Sequence, residues 1–238
     1  MKERTKRAEM LLGPEAMEKL AGSRVAVFGL GGVGSWCAEA LARSGVGSLV
    51  LVDNDSVSES NMNRQGCASY PTLGMPKAQV MARKLRDIAP DAELTAMDAF
   101  YEPAGREQFF ARPLDYIADC IDSVGPKVDL IVTAHARNIP ILSALGTGNK
   151  LDASKLEFAD LSQTNGCPLA RVVRRELRRR GIEHHPVVFS TETALPPLHM
   201  EEPEDGRRSV PGSVMWVPAT AGLLMAQRIV LELAHSAL

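Results

Sequence analysis

The chain has four cysteines, at 37, 67, 120 and 167, and no CxxC pair among them. A structural zinc site needs clustered thiolates, and a disulfide framework needs paired ones, so both are disfavoured. No apolar core follows Met1-Lys2-Glu3-Arg4-Thr5-Lys6-Arg7, which argues against an export signal and makes the cytoplasm the expected location. The most apolar late stretch, Met215 to Leu233, is interrupted by Pro218, Gln227, Arg228 and Glu232 and reads as too polar to span a membrane. Formal net charge is only -2, so no global cationic field draws the chain to nucleic acid, and any such contact must be local. A GxxxxGKS/T stretch is absent, which excludes a P-loop ATPase. The chain holds no internal repeat and no low-complexity tract.

What is present is enough to build a core. Of 238 residues, 45% are hydrophobic and 24% charged, which suits one large domain or one domain with an appendage. Glu9 to Leu20 reads as a leading helix. Val25 to Phe28 is a continuous apolar run bounded by turn residues, the pattern of a strand buried on both faces. Val33, Trp36, Cys37, Ala40 and Leu41 then share one helix face, and Leu49 to Val52 is a second buried strand. Strand, helix and strand with short connections make a βαβ unit with parallel strands. The alternation continues through a helix at Pro76 to Ile88, a strand at Glu93 to Met97, a strand at Tyr116 to Ile121, a helix at Val128 to Ala136 and a strand at Ile141 to Leu145.

After Gly146-Thr147-Gly148 the rhythm changes. A strand is expected at Leu156 to Leu161, a helix at Leu169 to Arg180, a strand at Val187 to Thr191 and a last helix at Pro218 to Ala234. Residues 192–213 carry prolines at 196, 197, 203 and 211 and a cluster of acids, and read as a mobile crossover loop. The expected fold is α/β: a Rossmann-like, doubly wound, mostly parallel sheet with an extended C-terminal part of strand, crossover loop and helix. The expected organisation is an N-terminal helical arm over 1–24, a nucleotide-binding core over 25–150 and an extension of the same domain over 151–238.

Gly29-x-Gly31-x-x-Gly34, with Gly32 inside it, follows the first strand and opens a helix. Such glycines allow a tight turn and close approach of backbone to phosphate at a helix N-terminus. Asp53 ends the second strand, where an acid bonds a ribose hydroxyl. These features alone fit NAD and ATP equally. The residues after Asp53 favour ATP. Arg64 and Lys77 are cations suited to a polyphosphate, and Asn61 and Gln65 are polar groups on the same run. Asp122 lies past the fourth strand, where an open α/β sheet places its ligand groups, and an acid there is a natural Mg²⁺ ligand.

Together, Gly29-Leu30-Gly31-Gly32-Val33-Gly34-Ser35, Asp53-x-Asp55-x-Val57-x-x-Ser60-Asn61-x-x-Arg64-Gln65 and Gly74-x-Pro76-Lys77 resemble the E1-like adenylating enzymes. That family includes the molybdopterin- and thiamine-pathway sulfur-carrier activators and the ubiquitin-activating enzymes. Gly34-Ser35-Trp36 with Ala38-Glu39-Ala40-Leu41-Ala42-Arg43, Asp119-x-Ile121-Asp122-Ser123 and Val188-Phe189-Ser190-Thr191-Glu192 are most similar to the branch acting on threonylcarbamoyladenosine in tRNA. The resemblance implies a homodimer that binds ATP and Mg²⁺ and adenylates a carboxylate. In this branch that is the threonine carboxyl of the modified adenosine at position 37 of tRNA, followed by cyclisation with net loss of water. It further implies that Asp53 and Asp55 lie in the nucleotide site, that Asn61, Arg64 and Lys77 hold phosphates and that Asp122 holds Mg²⁺. Arg7, in Arg4-x-x-Arg7, resembles an arginine that reaches the partner subunit's ATP.

The zinc-binding members of the family carry two CxxC pairs, and this chain has none, which disfavours a sulfur-carrier activator. The alternative kept open is adenylation of the C-terminal carboxylate of a ubiquitin-like sulfur carrier, and a docked sulfur-transfer partner. A non-catalytic binder and an NAD oxidoreductase are further readings, and neither explains the cations after Asp53. Ile182 to Ser213 lacks cysteine, so no thioester forms there. Cys167 is the nearest thiol and reads as a packed or surface residue. His135, His184 and His185 read as loop or surface residues. Arg171, Arg174, Arg175, Arg178, Arg179 and Arg180 crowd one helix, with Lys2, Arg4, Lys6 and Arg7 adding cations at the N-terminus. A solvated face is the usual meaning of such a run. With the resemblance, the expectation is tRNA contact through Arg171, Arg174, Arg175 and Arg178.

Overall fold

The computed structural model describes residues 3–196, 198–199 and 211–234. Seven strands form one sheet in the order β3-β2-β1-β4-β5-β7-β6. The strands are β1 (Arg24–Phe28), β2 (Ser48–Asp53), β3 (Glu93–Asp98), β4 (Tyr116–Asp119), β5 (Ile141–Ala144), β6 (Leu156–Asp160) and β7 (Pro186–Ser190). Every pairing is parallel except β6 with β7. The sheet thus takes its last two strands from beyond residue 150. Most of the expected crossover loop, at 197 and 200–210, lies outside the described residues, as does Lys2.

Period-2 alternation divides the core. Val25, Val27, Leu49, Leu51, Leu142 and Val188 point to one face. There they meet α2 (Pro14–Gly22), α3 (Gly34–Arg43), α4 (Lys77–Ile88) and α7 (Trp216–Ala234). Ala26, Phe28, Val50, Val52, Ile117 and Phe189 point to the other, under α5 (Val124–Ala136) and α6 (Pro168–Arg178). Helices on both faces of a parallel sheet are the doubly wound arrangement. By length and composition α7 suits a membrane span, yet 61% of that window is buried inside the fold. Val217, Ala221, Met225 and Ile229 make it a core helix.

The leading segment departs from expectation. The structure breaks it into α1 (Lys6–Leu12) and α2, with Gly13 between them at φ 84 and Pro14 starting the second helix. Apolar spacing suggests one helix, but proline has no N–H to continue the ladder. Arg4 fastens this arm: its guanidinium donates to both carboxylate oxygens of Asp91 at 3.1 Å and to the Ala42 carbonyl at 3.0 Å. Of the four N-terminal cations in the sequence, Arg4 is therefore an anchor.

Strand order reverses between β1 and β4, because β2 continues on one side of β1 and β5 on the other side of β4. At such a switch point an open α/β sheet takes its ligands in the crevice outside the carboxyl ends of its strands. Gly29-to-Gly34 leaves β1 and Cys120-Ile121-Asp122 leaves β4, so both reach the crevice.

Candidate active site

The glycine turn has two jobs, carried by different residues. Gly29 sits at φ 85, and a Cβ there would lie 2.8 Å from the Cys120 carbonyl oxygen. A Cβ on Gly34 would lie 1.8 Å from the Gly29 carbonyl oxygen. These two glycines let the chain turn against itself. Gly31 and Gly32 face outward instead, with Gln65 Nε2 3.8 Å from one Cβ position and Arg64 Cγ 3.6 Å from the other. Behind them α3 begins, offering N–H groups with no intrahelical partner and a partial positive charge.

Asp53 builds the turn. Its Oδ2 accepts from the Leu30 N–H at 2.6 Å and its Oδ1 from the Asp55 N–H at 2.8 Å. Burial pushes its carboxyl up, against the Leu30 bond, the Lys77 charge and the Asp55 bond, which pull it down. Each oxygen keeps a lone pair for a hydroxyl donor. Asp55 pairs with Lys77 at 2.8 Å, and the Lys77 side chain is 5% exposed against 57% for Asp55. The lysine stands at the first residue of α4, which brings its ammonium to the same end of the sheet.

Arg64 is held by the start of α3. The Trp36 indole N–H donates to the Arg64 carbonyl at 2.9 Å, and Ser35 Oγ accepts from the Gly66 N–H at 2.9 Å. The hydroxyl of Ser35 itself donates to the Gly31 carbonyl at 2.6 Å. One serine and one tryptophan thus join the glycine turn to the arginine loop. The guanidinium bonds the Ser60 carbonyl at 2.8 Å and Asn63 Oδ1 at 2.9 Å. Both are neutral, and no carboxylate pairs with it among the described residues. Burial lowers its pKa, and a guanidinium stays charged regardless. The guanidinium is thus a half-buried cation whose bonds among the described residues are to neutral oxygens. Asn61 is buried and closes a turn, its Oδ1 accepting from the Ser58 N–H at 3.1 Å. Gln65 is also buried, with its amide toward Gly31.

Asp122 lies in the exposed loop between β4 and α5. Its Oδ1 accepts from the Ser123 hydroxyl at 3.3 Å, and no cation pairs with it among the described residues. Clusters of three or more metal-binding side chains are absent from the described residues. A single carboxylate is chemically compatible with Mg²⁺, which usually takes one or two carboxylates and fills its other positions with water or phosphate oxygens. A groove of about 560 Å³ runs along α5 from this loop, lined by Phe100, Val124, Pro126, Val128 and Val132 among others.

Arg7 is apart from this constellation, exposed on α1 and without a partner among the described residues. Met10 and Leu11 on the same helix are 80% and 89% exposed.

The arginine helix is sorted by its partners. Arg174 Nη1 donates to the Leu161 carbonyl, the Thr164 carbonyl and the Thr164 hydroxyl, at 2.6 to 3.2 Å. One arm of its guanidinium is thereby tied to the turn before α6, so it is less free than its neighbours to meet a partner. Arg175, Arg179 and Arg180 pair with Glu176. Arg171 and Arg178 are exposed and unpaired among the described residues. A groove of about 490 Å³ runs between these side chains.

His185 is also a correction. It is buried, and its Nε2 meets the Ser143 hydroxyl at 2.8 Å while Nδ1 meets His135 at 3.3 Å. Burial pushes its pKa down to about 3, so it is neutral at physiological pH. Ser143 donates to Asp119 Oδ2 at 2.6 Å, and Lys127 bonds the same oxygen at 2.6 Å with both side chains fully buried. Sequence reasoning missed this network, and it missed Ser35, Trp36 and Asn63. The polar residues directly after the glycine turn were the available signal. Cys167 is buried, its sulfur accepting from the Ala170 N–H at 3.5 Å at the start of α6.

The likeness to known proteins matches this geometry. The ThiF family model matches residues 5–233. The tRNA threonylcarbamoyladenosine dehydratase of Bacillus subtilis (strain 168) is 41% identical over 241 residues, covering 95% of this chain and 93% of that protein. Its namesake from Escherichia coli (strain K12) is 37% identical over 198 residues, covering 79% of this chain and 73% of that one. The crystal structure of E. coli tRNA N6-threonylcarbamoyladenosine dehydratase, TcdA, in complex with ATP superposes with a TM-score of 0.90 at 33% identity, covering 99% of this chain and 95% of that chain. A glycine turn braced by Asp53, an arginine loop joined to it by Ser35 and Trp36 and a family match over nearly the whole length agree: the chain belongs to the ThiF family.

Proposed function

We propose that this chain is an ATP-dependent tRNA threonylcarbamoyladenosine dehydratase, working in the cytoplasm as a homodimer. The single observation that carries the phosphate chemistry is Arg64: half-buried, charged, tied only to neutral oxygens and set beside Gly32. The substrate follows from the dehydratase relatives, which align over most of this chain.

The chemistry divides into two displacements. First, an oxygen of the threonine carboxylate bonds the α-phosphorus of ATP while the bond to the bridging oxygen breaks and pyrophosphate leaves. Then the carbamoyl nitrogen of the same nucleoside bonds the activated acyl carbon, losing its proton, and AMP leaves. The ring closes with one oxygen of the original carboxyl carried off on AMP, which is the net loss of water. A carboxylate and a triphosphate repel, so the protein must supply positive charge where the leaving group gains negative charge. Arg64 and Lys77 supply it, and the glycine turn ahead of α3 adds N–H donors at Gly31 and Gly32. Asp53 takes the ribose. Asp122 would hold Mg²⁺, which when bound offsets phosphate charge. Holding carboxylate and phosphorus in line lowers the barrier further. No step asks for a cysteine.

The test is mass analysis of nucleosides from modified tRNA after incubation with the chain and ATP. One water is lost from threonylcarbamoyladenosine and AMP accumulates. AMP formation driven by a small protein's C-terminus, with tRNA inert, would transfer the assignment to sulfur-carrier activation, where a sulfur-transfer partner would dock.

Exposed Met10 and Leu11 beside Arg7 support the dimer, because large apolar side chains on one arm helix lose less by packing on a partner than by facing water. Arg7 then completes the other subunit's site. Arg7→Ala lowers AMP formation by about a hundredfold, the effect of losing one charged donor at a developing anion. Mixed with a phosphate-site variant such as Arg64→Ala, it regains activity at about a quarter of the sites, because half the dimers are mixed and each holds one intact pair. No recovery on mixing would mean that Arg7 acts within its own subunit, or not at all.

Arg171, Arg175 and Arg178 make the tRNA face. They recur at i, i+4 and i+7, a row about 10 Å long at 1.5 Å rise per residue, which tracks a strand of phosphates. Reversing the charge of Arg171 and Arg178 weakens tRNA binding by about tenfold and lowers the slope of log K against log salt by about 2. Arg174→Ala instead lowers thermal stability and leaves the salt slope intact. An unchanged slope in the double variant would make the row an ordinary solvated face.

A further inference from the structure

We propose that Asn63 is a positioning residue for Arg64, and that it makes the phosphate site depend on how residues 211–213 are seated. Asn63 Oδ1 accepts from Arg64 Nη1 at 2.9 Å, and its Nδ2 donates to the Ser213 carbonyl at 2.9 Å. One amide therefore joins the arginine to a segment 150 residues away in sequence. Among side chains of this length only an amide does both, since aspartate has no donor and alanine has neither group.

The far end of this link is itself clamped. Gly212 and Asn149 exchange two bonds, Gly212 N–H to Asn149 Oδ1 and Asn149 N–H to the Gly212 carbonyl, both at 2.7 Å. Asn149 also accepts from the Leu195 N–H at 2.8 Å through its carbonyl. It holds φ at 59, a left-handed conformation that asparagine tolerates better than most residues. Gly148 lies under Pro211 so closely that a Cβ would come within 2.8 Å. Trp216 Nε1 donates to the Leu151 carbonyl at 2.6 Å, just past the clamp. Pro218 then packs on Gly32, 3.1 Å from its Cβ position. The chain from 211 to 218 thus runs from the loop after β5 to the glycine turn, and Asn63 is where it touches the guanidinium.

The Arg64 guanidinium has two hydrogen-bond partners among the described residues, and Ser60 is the other. Both bonds are made by Nη1, so loss of Asn63 leaves that nitrogen with the Ser60 carbonyl alone and the charge is no longer aimed. This inference rests on Arg64 being a phosphate ligand, and the test is chosen to separate the two. ATP and AMP affinities are measured by calorimetry on the intact chain without tRNA. Asn63→Ala weakens ATP by about tenfold, the worth of one charge-assisted bond, and leaves AMP within about twofold, since AMP lacks the phosphates Arg64 would reach. Asn63→Asp weakens ATP further, because its carboxylate adds negative charge beside the phosphates. Asn149→Gly, which keeps the backbone geometry and drops the side chain, shifts the ATP-to-AMP ratio in the same direction. The double variant is no worse than Asn63→Ala alone, as expected for two links of one chain. Equal loss of ATP and AMP, unchanged affinity for both, or strictly additive effects would each overturn the proposal. A wild-type chain that binds neither nucleotide overturns the nucleotide reading itself, and this inference with it.

Discussion

Arg64→Ala is expected to lower AMP formation by about a thousandfold while leaving the fold intact, which is the scale for a preorganised cation at a developing anion. The guanidinium makes no ion pair among the described residues, so its loss leaves no buried carboxylate unpaired. Its carbonyl, which Trp36 holds, survives the substitution. Melting temperature should therefore stay close to wild type. Arg64→Lys restores charge without the planar fork, and it recovers part of the rate only, because a compact ammonium lacks the guanidinium geometry in which one nitrogen rests on Ser60 and Asn63 while the others face a phosphate. Steady-state AMP release with modified tRNA reads all three proteins. A loss below about tenfold for the alanine variant would reduce Arg64 to a surface cation.

The sequence made the strand, glycine turn and helix, with Asp53 at the end of the next strand, legible because their information is local. A strand, a glycine cluster and a helix face follow one another within twenty residues, and Asp53 ends the next strand. Each carries its own periodicity or turn chemistry. What stayed hidden depends on pairings between distant segments. Nothing near Arg174 announces that Leu161 and Thr164 will hold one arm of its guanidinium. Nothing near His185 announces Ser143 and His135 on neighbouring elements. Burial of a histidine or lysine is decided by which elements stack over it, and a single sequence does not display that. The break at Gly13-Pro14 is a different case. Its signal is local, and apolar spacing outweighs it only if proline's missing donor is ignored.

Lys127→Met tests whether that hidden network supports the site, and it is expected to cost about 3 to 5 kcal/mol of stability. Lys127 and Asp119 are fully buried and bonded at 2.6 Å, with the ammonium also donating to the Ala144 carbonyl at 3.0 Å. Removing the lysine strands a carboxylate in the core with Ser143 as its only side-chain donor. Asp119→Asn combined with Lys127→Met removes both charges, and it should cost less than the single change, since the penalty is chiefly that of the unpaired carboxylate. Asp119 also does local work: its Oδ1 accepts from the Ile121 N–H at 3.1 Å, which shapes the loop that presents Asp122. Asparagine keeps that oxygen. The double variant, if folded, should therefore retain the Mg²⁺ dependence of AMP formation, whereas Asp119→Ala with Lys127→Met should raise the Mg²⁺ concentration needed for half-maximal rate. Chemical denaturation gives the stabilities and a Mg²⁺ titration gives the second readout. If the double variant proves less stable than Lys127→Met, the buried pair is not held together by charge compensation, and the network's hold on the Asp122 loop would have to come from packing alone.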